Sequence, residues 1–219
     1  MDQTDRQSPQ SWNNWYLKTQ QNRTYQGTTL WLKEWLSCLE PWRGQHILEL
    51  GCGTGIDTQY LSEQGHRIIA TDYAEEGLKV VQRFVPQAST IQLDLAQALP
   101  FAPNTFSIVI ASLSLHYFSW VRTQALIQEI HTCLRSEGLL LTRFNSTNDI
   151  NHGANEGQQI EPGYFLVRGR RKRFFTDKDV RQLFQPDPPN PWHILQLQEK
   201  NVHRFDRPKV VWESIVQKQ

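Results

Sequence analysis

Short apolar runs alternate with longer amphipathic segments through the middle of the chain. The apolar runs predict strands at residues 46–51, 67–72, 89–94, 106–112 and 138–144. The spacing of apolar residues predicts helices between them, at residues 56–64, 74–84 and 119–135. Two further β patterns, at residues 193–198 and 209–216, lie close enough to pair antiparallel. Apolar strands that alternate with helices are typical of a parallel sheet covered on both faces, so we predict a doubly wound α/β domain.

The N-terminal segment does not share this pattern. Residues 1–27 are polar but carry four aromatic side chains, Trp12, Trp15, Tyr16 and Tyr25. Disordered segments are poor in aromatic residues, so we expect these rings to dock on the rest of the protein. We interpret residues 1–27 as an aromatic lid segment and residues 28–219 as a single domain. The alternative is a tail packed permanently on the outer helices.

The segments that flank the sheet pattern have signals of their own. Apolar residues at helical spacing in residues 32–39 predict an amphipathic helix that ends at Pro41. Residues 146–175 are first polar and then strongly basic, and we interpret them as an insertion on the substrate side. Residues 168–173 contain five cations, which form either an anion clamp or the solvated face of a β-hairpin. Thr176 and Asp179 have the spacing of a capping box at the start of a short helix.

Composition narrows the class of protein. A chain of 219 residues with 38% hydrophobic residues is long enough for one well-packed domain. The formal net charge of +1 provides no general field for a nucleic-acid backbone. No apolar run approaches the ~20 residues of a membrane span, and the first ten residues lack the apolar stretch of a signal peptide, so we expect a cytoplasmic protein without membrane contact. Three widely spaced cysteines indicate buried thiols rather than disulfides or a zinc site.

The most informative motif is a glycine-rich loop after the first strand. Residues 47–55 read ILELGCGTG and place Gly51, Gly53 and Gly55 between a buried strand and a helix. Glycines at such a junction allow a tight turn and the close approach of a ligand. The spacing is not the dinucleotide fingerprint, which needs a glycine where Ile56 stands, and Gly-Lys-Ser/Thr of a P-loop is absent.

Acidic residues surround this loop. Glu49 lies in the strand before the glycines, Asp72 ends the second strand and Asp94 ends the third. Carboxylates at adjacent strand ends suit the hydroxyls of a ribose and an exocyclic amine. Three acids without a nearby Lys or Arg would repel a pyrophosphate and favour a cationic nucleoside.

These features together resemble the class I S-adenosylmethionine-dependent methyltransferases, over roughly residues 30–216. The resemblance rests on the glycine loop, Asp72, Asp94, the strand FSIVIAS and the segment LRSEGLLLTRF. It implies a Rossmann-like, mostly parallel seven-stranded sheet with a C-terminal antiparallel hairpin. It also implies S-adenosyl-L-methionine as cofactor and S-adenosyl-L-homocysteine as product. The implied cofactor-binding residues are Glu49, Gly51, Gly53, Gly55, Asp72, Tyr73, Asp94, Leu95 and Ser112.

The acceptor side of the site is predicted from the ends of the fourth and fifth strands. His116 follows the fourth strand, and its ordinary pKa suits a general base; alternatively, it forms a wall of the pocket. The candidate substrate contacts are Tyr25, Tyr117, Arg143, Asn145 and Arg170. Arg143 alternates with apolar neighbours and therefore has a second interpretation, in which it points to solvent.

The predicted function is methyl transfer to a small-molecule acceptor, since the LSLHYF segment and the aromatic N-terminus resemble the bacterial branch that includes tellurite-resistance methyltransferases. If residues 168–173 form an anion clamp, that acceptor is anionic. Two alternatives stay open. One is an RNA methyltransferase that uses residues 168–173 on phosphates, and the other is a non-catalytic protein that binds S-adenosylmethionine.

Overall fold

The fold is built around a seven-stranded sheet. A computed structural model describes residues 8–19, 31–185, 192–204 and 207–219. Its strands are β1 His46–Leu50, β2 Arg67–Asp72, β3 Ser89–Gln92, β4 Phe106–Ser112, β5 Leu134–Asn145, β6 Gln158–Glu161, β7 Tyr164–Val167, β8 Arg170–Arg173, β9 Trp192–Arg204 and β10 Arg207–Lys218. The large sheet has the order β3-β2-β1-β4-β5-β10-β9, and β6, β7 and β8 form a small second sheet.

Strand direction places the site within this sheet. β1 pairs in parallel with β2 and β4, and the parallel pairing continues to β3 and β5. β10 runs antiparallel to both β5 and β9. The strand order reverses between β1 and β4, and ligands of open α/β sheets bind in the crevice at the carboxyl ends of strands at such a reversal. The glycine loop follows β1 at this point.

Helices cover both faces of the large sheet. The described helices are α1 Pro9–Thr19, α2 Leu36–Leu39, α3 Ile56–Glu63, α4 Glu75–Phe84, α5 Trp120–Cys133 and α6 Asp177–Phe184. Successive residues of β1 pack on opposite faces of the sheet. Ile47 packs against the buried side of α3 and α4, and Leu48 packs against α5 and α6. This alternation follows from the pleat of a strand. The predicted doubly wound fold with its C-terminal hairpin is confirmed.

Three segments differ from the sequence-based prediction. Residues 31–42 are not one helix, because short 3₁₀ turns at Trp31–Trp35 and Glu40–Trp42 flank α2, which has no side-chain cap. β5 begins at Leu134, inside the predicted end of α5, because Leu134 pairs with Phe106. Residues 158–173 form the three-stranded sheet of β6, β7 and β8, whereas the sequence indicated a polar segment followed by at most a hairpin in the basic run. The predicted capping box at Thr176 is confirmed. Among the described residues, no helix has both the length and the hydropathy that crossing a bilayer requires.

Candidate active site

The glycine loop leaves β1 in a left-handed conformation. Gly51 and Gly53 have φ angles of 78° and 57°, which favour glycine over residues with a side chain. The amides of Gly51 and Cys52 both donate to the Thr71 carbonyl, at 2.9 and 2.8 Å, so the loop stays attached to β2. A Cβ at Gly51 would lie 2.5 Å from the Cβ of Ser114, a residue just beyond β4. The loop therefore has no room for a side chain on its β4 side.

The Asp72 carboxylate fixes the loop from the end of β2. Its Oδ2 accepts the Gly53 amide at 2.8 Å, and its Oδ1 accepts the Ala74 amide at 2.8 Å. The Tyr73 amide and the Tyr16 hydroxyl are further donors to the same carboxylate. Burial raises the pKa of Asp72, and these hydrogen bonds act in the opposite direction. Four donors therefore converge on one carboxylate at the site predicted for the ribose.

Glu49 is fully buried under the loop. The Thr58 hydroxyl donates to its Oε2 at 2.5 Å. Burial raises the pKa of Glu49 to about 8; the charge of Asp57 adds to the rise, the Thr58 bond opposes it and the charge of Asp72 raises it further. Below that pH the side chain is neutral. The sequence indicates three anions around the loop, but burial keeps the Glu49 carboxyl protonated at neutral pH.

The adenine side of the predicted site lies beside Asp72. The Leu93 amide donates to the Asp72 carbonyl at 2.9 Å, which brings the segment after β3 to the end of β2. There Asp94 Oδ1 accepts the Ala96 amide at 2.9 Å, and Arg122 Nε donates to the Leu95 carbonyl at 2.8 Å. Tyr73 is held by Gln92 Nε2, 3.1 Å from its carbonyl. The structure thus brings Asp72 and Tyr73, at the end of β2, close to Asp94 and Leu95. Asp94 lies two residues beyond the end of β3 rather than at its last position.

Helix α1 lies across the glycine loop and the acceptor side. The Tyr16 hydroxyl would be 3.1 Å from a Cβ at Gly53. Asn13 Oδ1 accepts the Glu76 amide at the start of α4, at 3.2 Å. The Trp12 ring lies 5.0 Å from the Tyr117 ring, and the Arg170 guanidinium lies 4.4 Å from the same Trp12 ring. One helix thus contacts parts of the site that come from four elements. Tyr25, the other predicted aromatic contact, lies outside the described residues.

His116 and Tyr117 form the start of the acceptor side. Both belong to the 3₁₀ turn Leu115–Tyr117, directly after β4. The His116 side chain is buried, and its ring centroid lies 4.1 Å from that of Tyr117. The Tyr164 hydroxyl donates to the Tyr117 carbonyl at 2.8 Å, so β7 supports the turn. A role for His116 as a base stays a prediction.

Arg143 and Asn145 are buried at the end of β5. Arg143 Nε donates to Ser112 Oγ at 2.9 Å, and the guanidinium lies 4.8 Å from the Trp31 ring. The interpretation in which Arg143 points to solvent is therefore wrong, because Trp31 covers it and Glu213 faces it from β10. Asn145 Nδ2 donates to the Arg173 carbonyl at 3.4 Å, while its buried Oδ1 has no partner in the described part of the chain.

The basic run does not form one charged surface. Arg173 is buried, pairs with Glu161 and donates to the Pro162 carbonyl at 2.9 Å. Lys172 Nζ donates to the His152 carbonyl at 3.2 Å, and Arg168 pairs with Glu156 at an exposed position. Arg170 instead reaches α1. The sequence indicated that these residues act together, either as a clamp or as a solvated face. In the structure, β7 and β8 direct them to different places.

Comparison with known proteins supports the methyltransferase resemblance. Residues 47–138, which include the glycine loop, Asp72 and Asp94, match the family model of a methyltransferase domain. This match supports the class I S-adenosylmethionine-dependent methyltransferase family that the sequence resembles. An uncharacterized methyltransferase from Synechocystis is 34% identical over 96 residues, which cover 44% of this chain and 45% of that protein. The chain spans about half or less of the length of the curated relatives that it matches.

Solved structures share the whole methyltransferase fold. A S-adenosylmethionine-dependent methyltransferase from Anabaena variabilis has a TM-score of 0.68 at 17% identity, with 96% of this chain and 95% of that chain covered. The 1,6-didemethyltoxoflavin-N1-methyltransferase from Burkholderia thailandensis has a TM-score of 0.66 at 16% identity, with 98% and 92% covered. That structure contains 1,6-didemethyltoxoflavin and S-adenosylhomocysteine.

Two residues of this methyltransferase site lay beyond the sequence-based prediction. Tyr16 was predicted to dock, but nothing in the sequence indicates that its hydroxyl reaches Asp72. Gly77 lies inside α4, where a Cβ would be 2.7 Å from the Gly53 carbonyl oxygen. A glycine inside a helix costs roughly 1 kcal/mol relative to alanine, and this cost is the signal that could have identified a close contact.

Proposed function

We propose that the chain transfers a methyl group from S-adenosylmethionine to a small-molecule acceptor. The observation that carries this proposal is the bond between Asp72 and the Gly53 amide, which fixes a side-chain-free loop beside a buried carboxylate. A nucleoside with ribose hydroxyls and a positive charge suits this arrangement better than a pyrophosphate does, because the described residues that contact the Asp72 carboxylate include no Lys or Arg.

The residues present fit the cofactor. Gly51 and Gly53 keep the loop free of side chains beside the two carboxylates, and Asp72 and Asp94 would offer acceptors for hydroxyls and an amine. Glu49 and Ser112 would lie toward the methionine end. S-adenosylmethionine supplies, when bound, a methyl group that its positive sulfur has already activated.

The remaining task of the protein is alignment and exclusion of water. Positioning of two reactants is worth up to ~7–11 kcal/mol of a bimolecular barrier. Arg143 orients Ser112 through its 2.9 Å bond, and α1 places aromatic rings over the acceptor side. We propose residues 1–27, of which the structure describes 8–19, as a cover that closes over this side only after the cofactor and the acceptor have both bound. Where the acceptor carries a proton, His116 is the proposed proton acceptor.

The proposed acceptor is a small, flat molecule with a negative charge. Trp12, Tyr117 and His116 offer ring faces at the carboxyl end of β4, and Arg170 adds a cation beside Trp12. An RNA acceptor is less well supported, because the basic run is divided among separate contacts and the net charge is only +1.

Metabolite profiling with a labelled methyl donor tests the proposal. The purified chain is incubated with a small-molecule extract and with total RNA, and the label is followed into products. We expect label in a small anionic compound and not in RNA. Asp72→Ala should strongly reduce the label at limiting cofactor. Binding of S-adenosylhomocysteine without transfer to any acceptor would favour a non-catalytic binding protein.

A further inference from the structure

The acceptor capacity of Asp72 is already filled. A carboxylate offers about four lone-pair sites to hydrogen-bond donors. In this structure the donors are the amides of Gly53, Tyr73 and Ala74 and the hydroxyl of Tyr16. A ribose hydroxyl that donates to Asp72 therefore has to replace one of these four donors.

The four donors differ in how easily they can leave. Gly53 belongs to the loop that the Gly51 and Cys52 amides attach to β2, while Tyr73 and Ala74 belong to the turn between β2 and α4. Their amides are fixed by the fold of the sheet. Tyr16 belongs to α1. This helix is attached to α4 through the Asn13 side chain, and to Tyr117 and Arg170 through the Trp12 ring. The Tyr16 hydroxyl is the donor that can leave without unfolding the loop.

The Tyr16 ring also occupies the surface of the loop. It is buried, and its hydroxyl and Cε1 would lie 3.1 and 3.7 Å from a Cβ at Gly53. On its other side, Cε2 would lie 3.2 Å from a Cβ at Gly77. The ring thus stands between the glycine loop and α4, at the face of Gly53 where the absence of a side chain would otherwise admit a ligand.

We propose that Tyr16 competes with the cofactor for Asp72. The Tyr16 hydroxyl occupies the Asp72 oxygen that would accept a ribose hydroxyl, until α1 moves away. This inference rests on the proposed function, because it takes the ligand of Asp72 to be the ribose of S-adenosylmethionine. It makes Tyr16 a determinant of cofactor affinity that acts against binding. The position of α1 and the occupancy of the ribose site are then linked.

Calorimetry with three ligands tests this competition on the full chain. The ligands are S-adenosylhomocysteine, adenosine and 2′,3′-dideoxyadenosine, which lacks the hydroxyls that would donate to Asp72. Tyr16→Phe removes the hydroxyl and keeps the ring. Tyr60→Phe is the matched control, because Tyr60 is another buried tyrosine but packs in the core on α3.

The competition predicts a selective gain. Tyr16→Phe should bind S-adenosylhomocysteine and adenosine about tenfold more tightly than the wild type does. Its affinity for dideoxyadenosine should change less than about twofold, and Tyr60→Phe should leave all three affinities unchanged. An unchanged or weaker adenosine affinity in Tyr16→Phe would overturn the competition. Failure of the wild type to bind S-adenosylhomocysteine would instead overturn the proposed function.

Proteolysis gives a second measurement that needs no variant. Lys18 lies exposed on α1, two residues beyond Tyr16. Release of Tyr16 from Asp72 should loosen α1, so S-adenosylhomocysteine should speed tryptic cleavage at Lys18 several-fold. Slower cleavage at Lys18 with the same ligand would show that α1 tightens on the cofactor, which contradicts the competition.

Discussion

Substituting Gly44 and Gly51 by alanine distinguishes the cost of backbone strain from the cost of atomic overlap at the active-site loop. Gly51 and Gly44 have nearly equal φ angles, 78° and 83°. A Cβ at Gly44 would meet nothing within 4 Å, whereas a Cβ at Gly51 would lie 2.5 Å from Ser114 Cβ. The left-handed conformation costs a residue with a side chain roughly 1–2 kcal/mol, and overpacking adds ~1–3 kcal/mol. Gly44→Ala should therefore lose ~1–2 kcal/mol of stability, and Gly51→Ala ~2–5 kcal/mol.

Urea unfolding followed by tryptophan fluorescence measures both losses. Ser114→Gly is the second substitution of a double-mutant cycle. It removes the overlapping side chain, and the Cα that remains at position 114 would lie 3.7 Å from the new Cβ at position 51. In the double variant Gly51→Ala/Ser114→Gly, the overlap should disappear and leave a coupling energy of ~1–3 kcal/mol. Equal losses for Gly44→Ala and Gly51→Ala, or a coupling energy near zero, would refute the close approach of β4 to the loop.

Three further predictions follow from the site. The pKa of Glu49, about 8, lies above its ordinary value of 4.5, so stability is lost as pH rises between these values, by ~1.4 kcal/mol per pH unit. Glu49→Gln should remove this slope. The difference in the free energy of unfolding between the variant and the wild type, measured with urea, should therefore change by ~3 kcal/mol between pH 5.5 and 8. A constant difference would contradict a neutral Glu49. If His116 is the base, His116→Ala should lower kcat at saturating cofactor and remove the acidic limb of the pH–rate profile, and a surviving limb would leave it as a wall residue. Arg170→Gln should raise KM for an anionic acceptor without weakening cofactor affinity, whereas the exposed control Arg168→Gln should change neither.

The sequence predicted those parts of the fold that depend on local pattern. Apolar runs located the five parallel strands, and the final hairpin followed from alternation in two neighbouring segments. The glycine loop was recognisable because both its spacing and its place after a strand are local. A β-hairpin was one interpretation of the basic run, and β7 and β8 form one, but β6 was missed because its polar sequence QQIE lacks apolar alternation.

The parts of the site that were not predicted depend on contacts between distant segments. Tyr16 and Asp72 are far apart in sequence, and their contact depends on how α1 docks. The neutral state of Glu49 depends on burial under the loop, which a sequence does not quantify. Arg143 was uncertain for the same reason, since Trp31 and Glu213, which enclose it, come from opposite ends of the chain.

Calorimetric titration with S-adenosylhomocysteine tests the central claim most directly. The wild-type chain should bind one equivalent and show no comparable binding of NAD. Asp72→Ala should weaken the binding by ~1.5–3 kcal/mol, because a charged acceptor is lost, while the control Asp177→Ala on α6 should not change it. Preference for NAD, or equal affinity in the wild type and Asp72→Ala, would contradict a cofactor site built on Asp72 and the glycine loop.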